Sequence, residues 1–358
     1  MKKIITLLAS CAIAMSSWNV CLAADNKMTA DEAVGYALEN SLEVKKCNAA
    51  IQTAKYQSYQ AKMSKDNISK METVDSSTYL IATGYAYKAA QLQYTVSQRN
   101  AEDNKKAVAV QVKKDFYTYI NSQAAVEIAN QNLKNAEEKI ASAKARLDNG
   151  SISQLDYKSF ELIKKNAENS LKSAERTRNL NLIVLKNTMN YPLDKELVPV
   201  GSVEYTPEEI TTPEKATELS RSTNKYLNIS DSFSLAKERW ITAGKHFTSA
   251  LHDYKIEKAT YETAEADYTL NVNSLDTSIR STYNSLLTLA ENLDYMQSNV
   301  ELLKDTADAA YLKYEMGSMS ASDYRDARQN FESAQNELQN LKLTYLTTKL
   351  SYDNIYTK

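Results

Sequence analysis

Apolar residues recur every three or four positions along much of the chain. Ahead of Gly150 the successive spacings alternate between four and three residues, at Ala129, Leu133, Ala136, Ile140, Ala143 and Leu147. An average period of about 3.5 residues is typical of a left-handed coiled-coil seam, and alanines in such a seam let helix axes approach closely. The pattern therefore predicts long, paired helices.

The same pattern occurs twice, 167 positions apart. Residues 148–157 read DNGSISQLDY, residues 315–324 read EMGSMSASDY, and the surrounding regions align without a gap over about 70 residues. The second seam contains Met296, Val300, Leu303, Ala307, Ala310 and Tyr314. After the two turns, the seams resume at Ala167, Leu171 and Ala174 and at Ala334, Leu338 and Leu341. Each half is therefore expected to form a long helical hairpin.

The glycines indicate where each hairpin reverses. A glycine just past a helix supplies the left-handed conformation that ends it, and Ser151 or Ser318 then offers an N-cap for the returning helix. The run from about Ala86 to Leu147 would be one helix of about 60 residues, or about 90 Å at 1.5 Å per residue.

The prolines divide the chain into two halves. All four fall within 22 residues, at Pro192, Pro199, Pro207 and Pro213. Proline in a helix interior loses a hydrogen bond and clashes with the preceding turn, so residues 191–213 are expected to be a linker. It would separate a first helical hairpin repeat, 24–190, from a second, 214–358. Each repeat starts with a helix signal: a capping box from Thr29 to Glu32, and Pro213 at a first helical position.

Composition also favours helices and excludes one class of partner. The 358 residues include 6 glycines and 4 prolines, well below the usual shares of about 7% and 5%, so the residues that punctuate strands and hairpins are scarce. Lys+Arg 43 against Asp+Glu 45 makes the chain nearly neutral. No basic stripe interleaved with aromatics is present, so nucleic acid is not an expected partner.

The first residues have the layout of a secretory signal. Two lysines precede an apolar core from Ile4 to about Met15, and small residues follow, which predicts a cleaved signal peptide at 1–23. No later stretch approaches the roughly 18 consecutive apolar residues of a spanning helix. Only Cys47 then remains of the three cysteines, so no internal disulfide is expected.

Residues that carry catalytic chemistry are scarce. The only histidines, His246 and His252, lie six positions apart and not on one helical face, and Cys47 has no neighbour that would complete a metal site. The chain has neither a glycine-rich phosphate loop nor a nucleophile elbow. We therefore expect no enzyme activity, no cofactor and no metal.

Three aspartates stand near the predicted reversals. Asp156 and Asp323 each follow the turn glycine by six residues, and Asp326 shares a helical face with Asp323 by its i, i+3 spacing. One interpretation is the favourable placement of acids at a helix N-terminus. The other is a functional acidic site.

These features together resemble the TolC family of outer-membrane efflux ducts. The resemblance rests on the duplicated phrase L/Y-x-x-G-S-I/M-S-x-x-D-Y-K/R, on EAV at 32–34 followed by ALEN at 37–40, and on two hairpins joined by a linker. It implies a homotrimer whose six hairpins form a long periplasmic tube, located at the outer membrane. Such a tube is a passive duct without a cofactor and works with a periplasmic adaptor and an inner-membrane transporter in efflux or export, including type I secretion.

The resemblance also implies roles for particular residues. The adaptor would dock at the hairpin tips, which contain Gly150, Ser151, Gly317 and Ser318. Asp323 and Asp326 match the acids of the family's entrance constriction, and Asp156 matches the acid on the neighbouring hairpin. Three copies of Asp323 and Asp326 around one axis would repel each other and attract cations. The chain has Met319 where a family lock has a basic residue, so that lock lacks its basic partner here.

The chain departs from the family where family members insert two β-hairpins that build a twelve-stranded barrel. The corresponding segments are about 60–85 and 238–255, and only Ser77–Tyr85 and Trp240–Thr248 offer strand candidates. Transmembrane strands need about 9 to 11 residues each, so four full strands do not fit. The expected fold is therefore all-α, with two tandem long antiparallel coiled-coil hairpins and little or no β-barrel. Whether the short segments make any membrane pore stays open.

Three functions compete on this evidence. The leading one is a TolC-like duct component of an efflux or export system. The alternative is a periplasmic helical scaffold or spacer without channel activity. A periplasmic adaptor would need compact β-rich domains around one hairpin, which the scarcity of glycine and proline disfavours. Pore activity would distinguish the first function from the others.

Overall fold

The structure is a computed structural model that describes residues 27–68, 78–203 and 209–357. The expected signal peptide and Pro207 lie outside these residues. Two short strands, β1 (Lys27–Met28) and β2 (Val198–Pro199), pair in parallel and join the start of the first half to the segment that follows it. The rest of the described chain is dominated by helices, as predicted.

The first half contains five helices and the second half four within the described ranges. The first five are α1 (Ala30–Asn40), α2 (Leu42–Ile68), α3 (Tyr79–Ala82), α4 (Tyr85–Asp148) and α5 (Gln154–Met189). The other four are α6 (Pro213–Ser220), α7 (Asn224–His246), α8 (His252–Glu315) and α9 (Ala321–Tyr356). In each half, a long helix and the helix that follows it form an antiparallel hairpin around the predicted glycine turn.

The internal duplication extends over the whole of both hairpins. Helices α4 and α8 both have 64 residues, α5 and α9 both have 36, and each helix of the second hairpin begins and ends 167 positions after its counterpart. A helix of 64 residues is about 96 Å long at 1.5 Å per residue. The tandem all-α hairpins predicted from the apolar period are confirmed.

The cores of the two halves are equivalent. Val112, Tyr119, Leu185 and Met189 are buried in the first half, and the residues 167 positions later are buried in the second: Ile279, Leu286, Tyr352 and Tyr356. The short helices α1 and α6 cover these clusters with the small side chains of Ala33, Ala37 and Ala216. Because alanine allows close approach, each short helix packs tightly on its hairpin.

Local helix signals act as the sequence predicts. The Thr29 backbone N–H donates to Glu32 Oε2 at 2.8 Å, and the Glu32 N–H donates to Thr29 Oγ1 at 3.4 Å, which completes the capping box of α1. The bonds that the Glu32 carboxylate accepts from the Thr29 N–H and from the Thr29 hydroxyl lower the pKa of Glu32. Pro213 occupies the first position of α6. A backbone N–H at this position has no acceptor within the helix, so proline loses no hydrogen bond there.

Where the structure describes them, the two strand candidates form helix, turn and loop but no strand, so that expectation is wrong. Of Ser77–Tyr85, residues 79–82 form α3 and Tyr85 begins α4, while Trp240–His246 is the last part of α7. The Trp240 ring stacks on the Tyr261 ring of α8 with 4.7 Å between the centroids. Packing between α7 and α8 therefore determines the position of Trp240. In the part of the chain that is described, no helix is long and apolar enough to cross a membrane.

Candidate functional site at the hairpin tips

Both hairpins reverse through the same backbone motif. Gly150 and Gly317 adopt φ of 70° and 72°, in the left-handed region that favours glycine. The Ser151 N–H donates to the Arg146 carbonyl at 2.7 Å, and the Ser318 N–H donates to the Lys313 carbonyl at 2.9 Å. The Gly150 N–H also donates to the Leu147 carbonyl, and the Gly317 N–H to the Tyr314 carbonyl. At each turn the two bonds form a Schellman motif that closes the long helix.

The returning helices are capped two residues later than expected. The Asp156 N–H donates to Ser153 Oγ at 3.1 Å, and the Asp323 N–H donates to Ser320 Oγ at 3.1 Å. Ser151 and Ser318 cannot be these caps, because their backbone groups already belong to the Schellman motif of the preceding helix. All four predicted tip residues, Gly150, Ser151, Gly317 and Ser318, are exposed to solvent.

The three candidate acids have different surroundings. The Asp156 carboxylate accepts from the Ser153 hydroxyl at 2.8 Å and from the Ser153 N–H at 3.3 Å, so it closes a capping box. Within the described residues, the Asp323 carboxylate accepts no hydrogen bond and forms no ion pair, and its residue is exposed. Asp326 is exposed and pairs with Arg325 at 3.1 Å. The favourable placement of an acid at a helix N-terminus therefore accounts for Asp156 and also for Asp323, which lies in the first turn of α9, but not for Asp326.

A cluster of aromatic rings joins the two tips, and the sequence analysis did not find it. Phe160 of α5 lies 5.2 Å from the Tyr314 ring of α8 and 6.2 Å from the Tyr324 ring of α9, and Tyr311 lies 5.3 Å from Tyr324. Phe160, Tyr314 and Tyr324 are buried. Burial, with a smaller contribution from Glu315, raises the pKa of Tyr311 to about 12. The apolar seam contained Tyr314, but nothing in the spacing showed that Phe160 would meet it.

Two cations from the first hairpin contact the second. The Arg146 guanidinium lies 4.6 Å from the Tyr314 ring centroid and pairs with Glu315 at 3.1 Å. The Lys139 ammonium lies above the Tyr311 ring, and burial lowers the pKa of Lys139. Met319 packs against the aromatic cluster, as expected of an apolar residue at this place. The tips of one protomer are thus held together by aromatic packing and by one ion pair.

The helical hairpins and their glycine turns have counterparts among known proteins. Residues 247–352 match the family model described as outer membrane efflux protein. The resemblance to this family is confirmed. The matched residues include the second glycine turn with Gly317 and Ser318, and both Asp323 and Asp326, whereas Asp156 and the first turn lie outside the match.

Solved structures of outer-membrane efflux channels share the fold at low sequence identity. The chain is similar to CusC, with a TM-score of 0.77 and 12% identity over 91% of each chain. It is also similar to the open MtrE outer membrane channel of Neisseria gonorrhoeae, with a TM-score of 0.74 and 13% identity over 91% of this chain and 88% of that one. The CmeC outer membrane channel of Campylobacter jejuni gives 0.72 and 13%, over 93% and 85%. Comparison with curated protein sequences found no match.

The outer-membrane efflux fold leaves apolar residues uncovered in this single chain. On α8, Tyr295, Leu302 and Met316 follow one another at multiples of seven residues and are 68%, 64% and 74% exposed. On α5, Leu155 and Leu162 have the same spacing and are also exposed. Residues seven apart lie on nearly one face of a helix, so each hairpin presents an apolar stripe that its own protomer does not cover.

Proposed function

We propose that this protein is the tube component of an export or efflux system of the cell envelope. Three copies form a periplasmic duct at the outer membrane, and its tips dock with a periplasmic adaptor and an inner-membrane transporter. The observation that carries the proposal is the placement of both glycine turns side by side at one end of helices about 96 Å long. This elongated shape suits a conduit between the outer membrane and the inner-membrane transporter. The duct itself is passive, and the transporter supplies the energy.

The uncovered stripes on α5 and α8 support the trimer. Large apolar side chains exposed at regular helical spacing indicate a surface that packs against another helix. The two stripes lie on different hairpins, so a head-to-tail contact between α5 of one copy and α8 of the next would cover Leu162, Tyr295 and Leu302. Leu155 and Met316, at the tip end of the stripes, would lie beyond this contact and stay exposed. Contacts of this kind close into a ring when the rotation per copy allows it.

The tips support adaptor docking. Next to the two glycine turns, Leu155 is 75% exposed and Met316 is 74% exposed, while the rings beneath them are buried. Exposed apolar side chains on a rigid base suit recognition by the apolar face of a partner helix. The Schellman motif fixes the backbone around Met316 and the Ser153 capping box fixes it around Leu155, so docking requires little further ordering of the tips.

The entrance acids are proposed to be Asp323 and Asp326, with Asp156 in a supporting role. Asp323 and Asp326 stand one turn apart on an exposed part of α9, and three copies would bring six carboxylates near one axis. Like charges at short range disfavour full ionisation and attract cations. Asp156 Oδ2 accepts both the hydroxyl and the N–H of Ser153, so the proposed contribution of this acid is to hold the start of α5 in position.

Mass and conductance together test the duct. The purified mature protein should have the mass of a trimer in detergent and should give discrete conductance steps in planar bilayers. L162E/L302E, which places charge in both stripes, should yield monomers without conductance, whereas S142E, at an exposed position of α4 without a large apolar side chain, should not. A trimer that never conducts would favour the periplasmic scaffold instead, and a monomeric wild-type protein would contradict both functions.

Cross-linking tests the docking surface. A photoreactive amino acid at Ser151 or Ser318 should capture the adaptor in cells, and the same group at Thr260, exposed near the other end of α8, should not. Capture from Thr260 alone would place the adaptor at the wrong end of the tube and reject docking at the tips.

Charge neutralisation tests the entrance. D323N/D326N should reduce cation block and cation preference of the conductance, because the partnerless Asp323 carboxylate and the exposed Asp326 are removed. D156N is the matched control, since it removes one acid at the same end and should leave cation block close to the wild-type value. Equal effects from both variants would reject the distinction between the acids.

A further inference from the structure

A groove between the two hairpins has an unusual lining. It has a volume of about 590 Å³ and lies between the middle parts of α4, α5 and α9, within residues 118–125, 170–181 and 336–343. Ten of its thirteen lining residues carry an uncharged hydroxyl or amide group, and none carries a charge. We call it the polar groove. All of its residues belong to one protomer, so the site does not require a second copy.

The absence of charge is specific to this groove. Charged residues make up 25% of the chain. Another groove along the boundary between the hairpins, nearer the tips, is lined among others by Glu127, Lys304, Asp308 and Arg328. A charged ligand in the polar groove would lose hydration without meeting an opposite charge. The lining therefore favours a neutral ligand.

The floor of the polar groove contains a buried amide. Asn121 is 7% exposed, and its Nδ2 donates to Oδ1 of Asn340 at the rim at 3.2 Å, but its Oδ1 has no hydrogen-bond partner among the described residues. Ser122 is buried beside it and donates its hydroxyl to the Tyr119 carbonyl, which leaves the Ser122 oxygen able to accept. An unpaired buried oxygen is unfavourable, so folding alone does not account for Asn121.

The second repeat shows the lining that a purely structural role would have. The positions 167 residues after Ser122 and Ala174 are Leu289 and Leu341, and both leucines pack against the core of the second half. The smaller side chains of the first repeat leave the polar groove open instead. Because buried leucines would stabilise the fold, the polar lining indicates a use other than packing.

The groove also offers hydrogen-bonding groups that the fold does not use. Within the described chain, the side-chain amides of Asn181, Asn336 and Gln339 make no hydrogen bond. Each amide has two donors and one acceptor oxygen, and each hydroxyl of a sugar both donates and accepts. Ligand pockets usually have mainly apolar linings with a few polar groups. A lining that is polar almost throughout therefore indicates a ligand that is polar over most of its surface.

We propose that the polar groove is a binding site for a neutral saccharide. Asn336 and Gln339 bind its hydroxyl groups at the rim, and the Asn121 amide at the floor exchanges its bond to Asn340 for bonds to the sugar. Leu343 lies against the carbon atoms of a sugar ring. The volume is within the usual range of about 300–1,000 Å³ for ligand sites. The site goes beyond the proposed duct function, because it requires neither conduction nor an adaptor.

Ligand-observed NMR titration of the purified mature protein tests the proposal. Maltotriose or triacetylchitotriose should bind saturably, at one site per chain, whereas a capped triglycine peptide, which is neutral and polar but has no hydroxyl groups, should not bind. N336A/Q339A should weaken saccharide binding about tenfold, since two hydrogen bonds are lost. N166A/Q329A makes the same chemical change in a neighbouring groove nearer the tips and should bind as the wild type does.

A second variant gives the first repeat the leucines of the second. S122L/A174L should unfold at the same temperature as the wild type or higher, and it should lose binding because its leucines fill the polar groove. Absence of saturable binding by both trisaccharides, equal binding of the peptide, or an equal loss in N166A/Q329A would each overturn the proposal. So would full binding by a folded S122L/A174L. N336A/Q339A changes only the rim, so its result does not depend on how the leucines pack.

Free oligosaccharides and cell-wall glycan share this chemistry, and cosedimentation with purified cell-wall glycan distinguishes them. Cosedimentation that N336A/Q339A weakens and N166A/Q329A does not would assign the site to the polymer. Binding of a trisaccharide without cosedimentation would assign it to a free oligosaccharide. A protein that binds saccharide but never conducts would reject only the duct, and a conducting trimer that binds no saccharide would reject only this site.

Discussion

The turns at Gly150 and Gly317 share one backbone and differ in what their side chains do. Both close a 64-residue helix with a Schellman motif, and both start a 36-residue helix at a serine cap. At the first tip the Asp156 carboxylate accepts two hydrogen bonds from Ser153. At the second, the equivalent Asp323 carboxylate has no partner in the described chain. Both reversals thus have the same backbone geometry and an acid in the first turn of the returning helix, while only the first acid closes a capping box with its serine.

The tips also differ in the packing beneath them. Phe160 of the first repeat is buried among rings from α8 and α9, whereas the equivalent position of the second repeat is Ala327. The first tip therefore contributes a side chain that anchors it to the second, and the second contributes the surface that receives it. The first tip therefore packs through Phe160, whereas Asp323 and Asp326 at the second remain exposed, which supports the entrance proposed for these two acids.

The largest expected effect comes from removing the anchor. F160A should destabilise the packed tips by about 3–5 kcal/mol, the usual cost of truncating a buried phenylalanine. Hydrogen exchange of the amides in 143–163 and 310–327 should accelerate strongly, while the core around Leu185 and Tyr352 keeps its protection. A327G, at the equivalent position, is the control and should act only through helix propensity, at about 1 kcal/mol. Similar effects from both variants would remove the asymmetry of packing.

The next largest effect tests the left-handed glycine turn that the two tips share. G150A and G317A should each destabilise their turn by about 1–2 kcal/mol, because alanine is strained in the left-handed region. No atom lies within 4 Å of a Cβ added at either glycine, so the cost is that of the backbone alone and should be equal at the two tips. Asparagine at the same positions should cost less, since it tolerates this conformation. Hydrogen exchange of the amides around each turn measures the cost of every substitution. Unequal costs at the two glycines would show that the turns are not equivalent.

A smaller effect should distinguish the two serine caps. S153A removes the acceptor of the Asp156 N–H and also a donor to the Asp156 carboxylate, whereas S320A removes one acceptor. Losing a serine N-cap costs about 1 kcal/mol on average, so S153A should cost more than this and S320A less. Exchange of the first-turn amides of α5 and α9 reports each cap separately. A larger loss in S320A would mean that the Asp323 carboxylate is engaged after all.

Much of the fold could be predicted because it follows from a short-range period. Alternating spacings of four and three marked the helix from Ala129 to Leu147, and the expected run from about Ala86 to Leu147 agrees with α4 to within one residue at both ends. The caps were misplaced because Ser151 and Ser318 were considered without the Schellman bonds, although SQLD at 153–156 and SASD at 320–323 carry a capping pattern. The candidate at Trp240–Thr248 failed because the packing of α7 on α8, seen in the Trp240–Tyr261 stack, favours a helix over a short alternating pattern.

The candidate site was predictable only in part. Glycines and acids at fixed offsets could be read from the repeated phrase, since they act within one turn of chain. The contacts of Phe160 with Tyr314 and of Arg146 with Glu315 depend on which faces of two hairpins meet. No single-chain period contains that information, because both hairpins carry apolar residues on more than one face.

The smallest expected effect concerns the ion pair between the tips. A double-mutant cycle of R146Q and E315Q should give a coupling of about 0.2–1 kcal/mol, as for other partly exposed pairs. The pair between Lys164 and Glu137, within the first hairpin, is a matched control and should couple to a similar extent. Since this coupling is several times smaller than the expected loss from F160A, R146Q should leave the tips packed and their exchange nearly unchanged. Tips that separate in R146Q as they do in F160A would show that charge, rather than aromatic packing, holds the two repeats together.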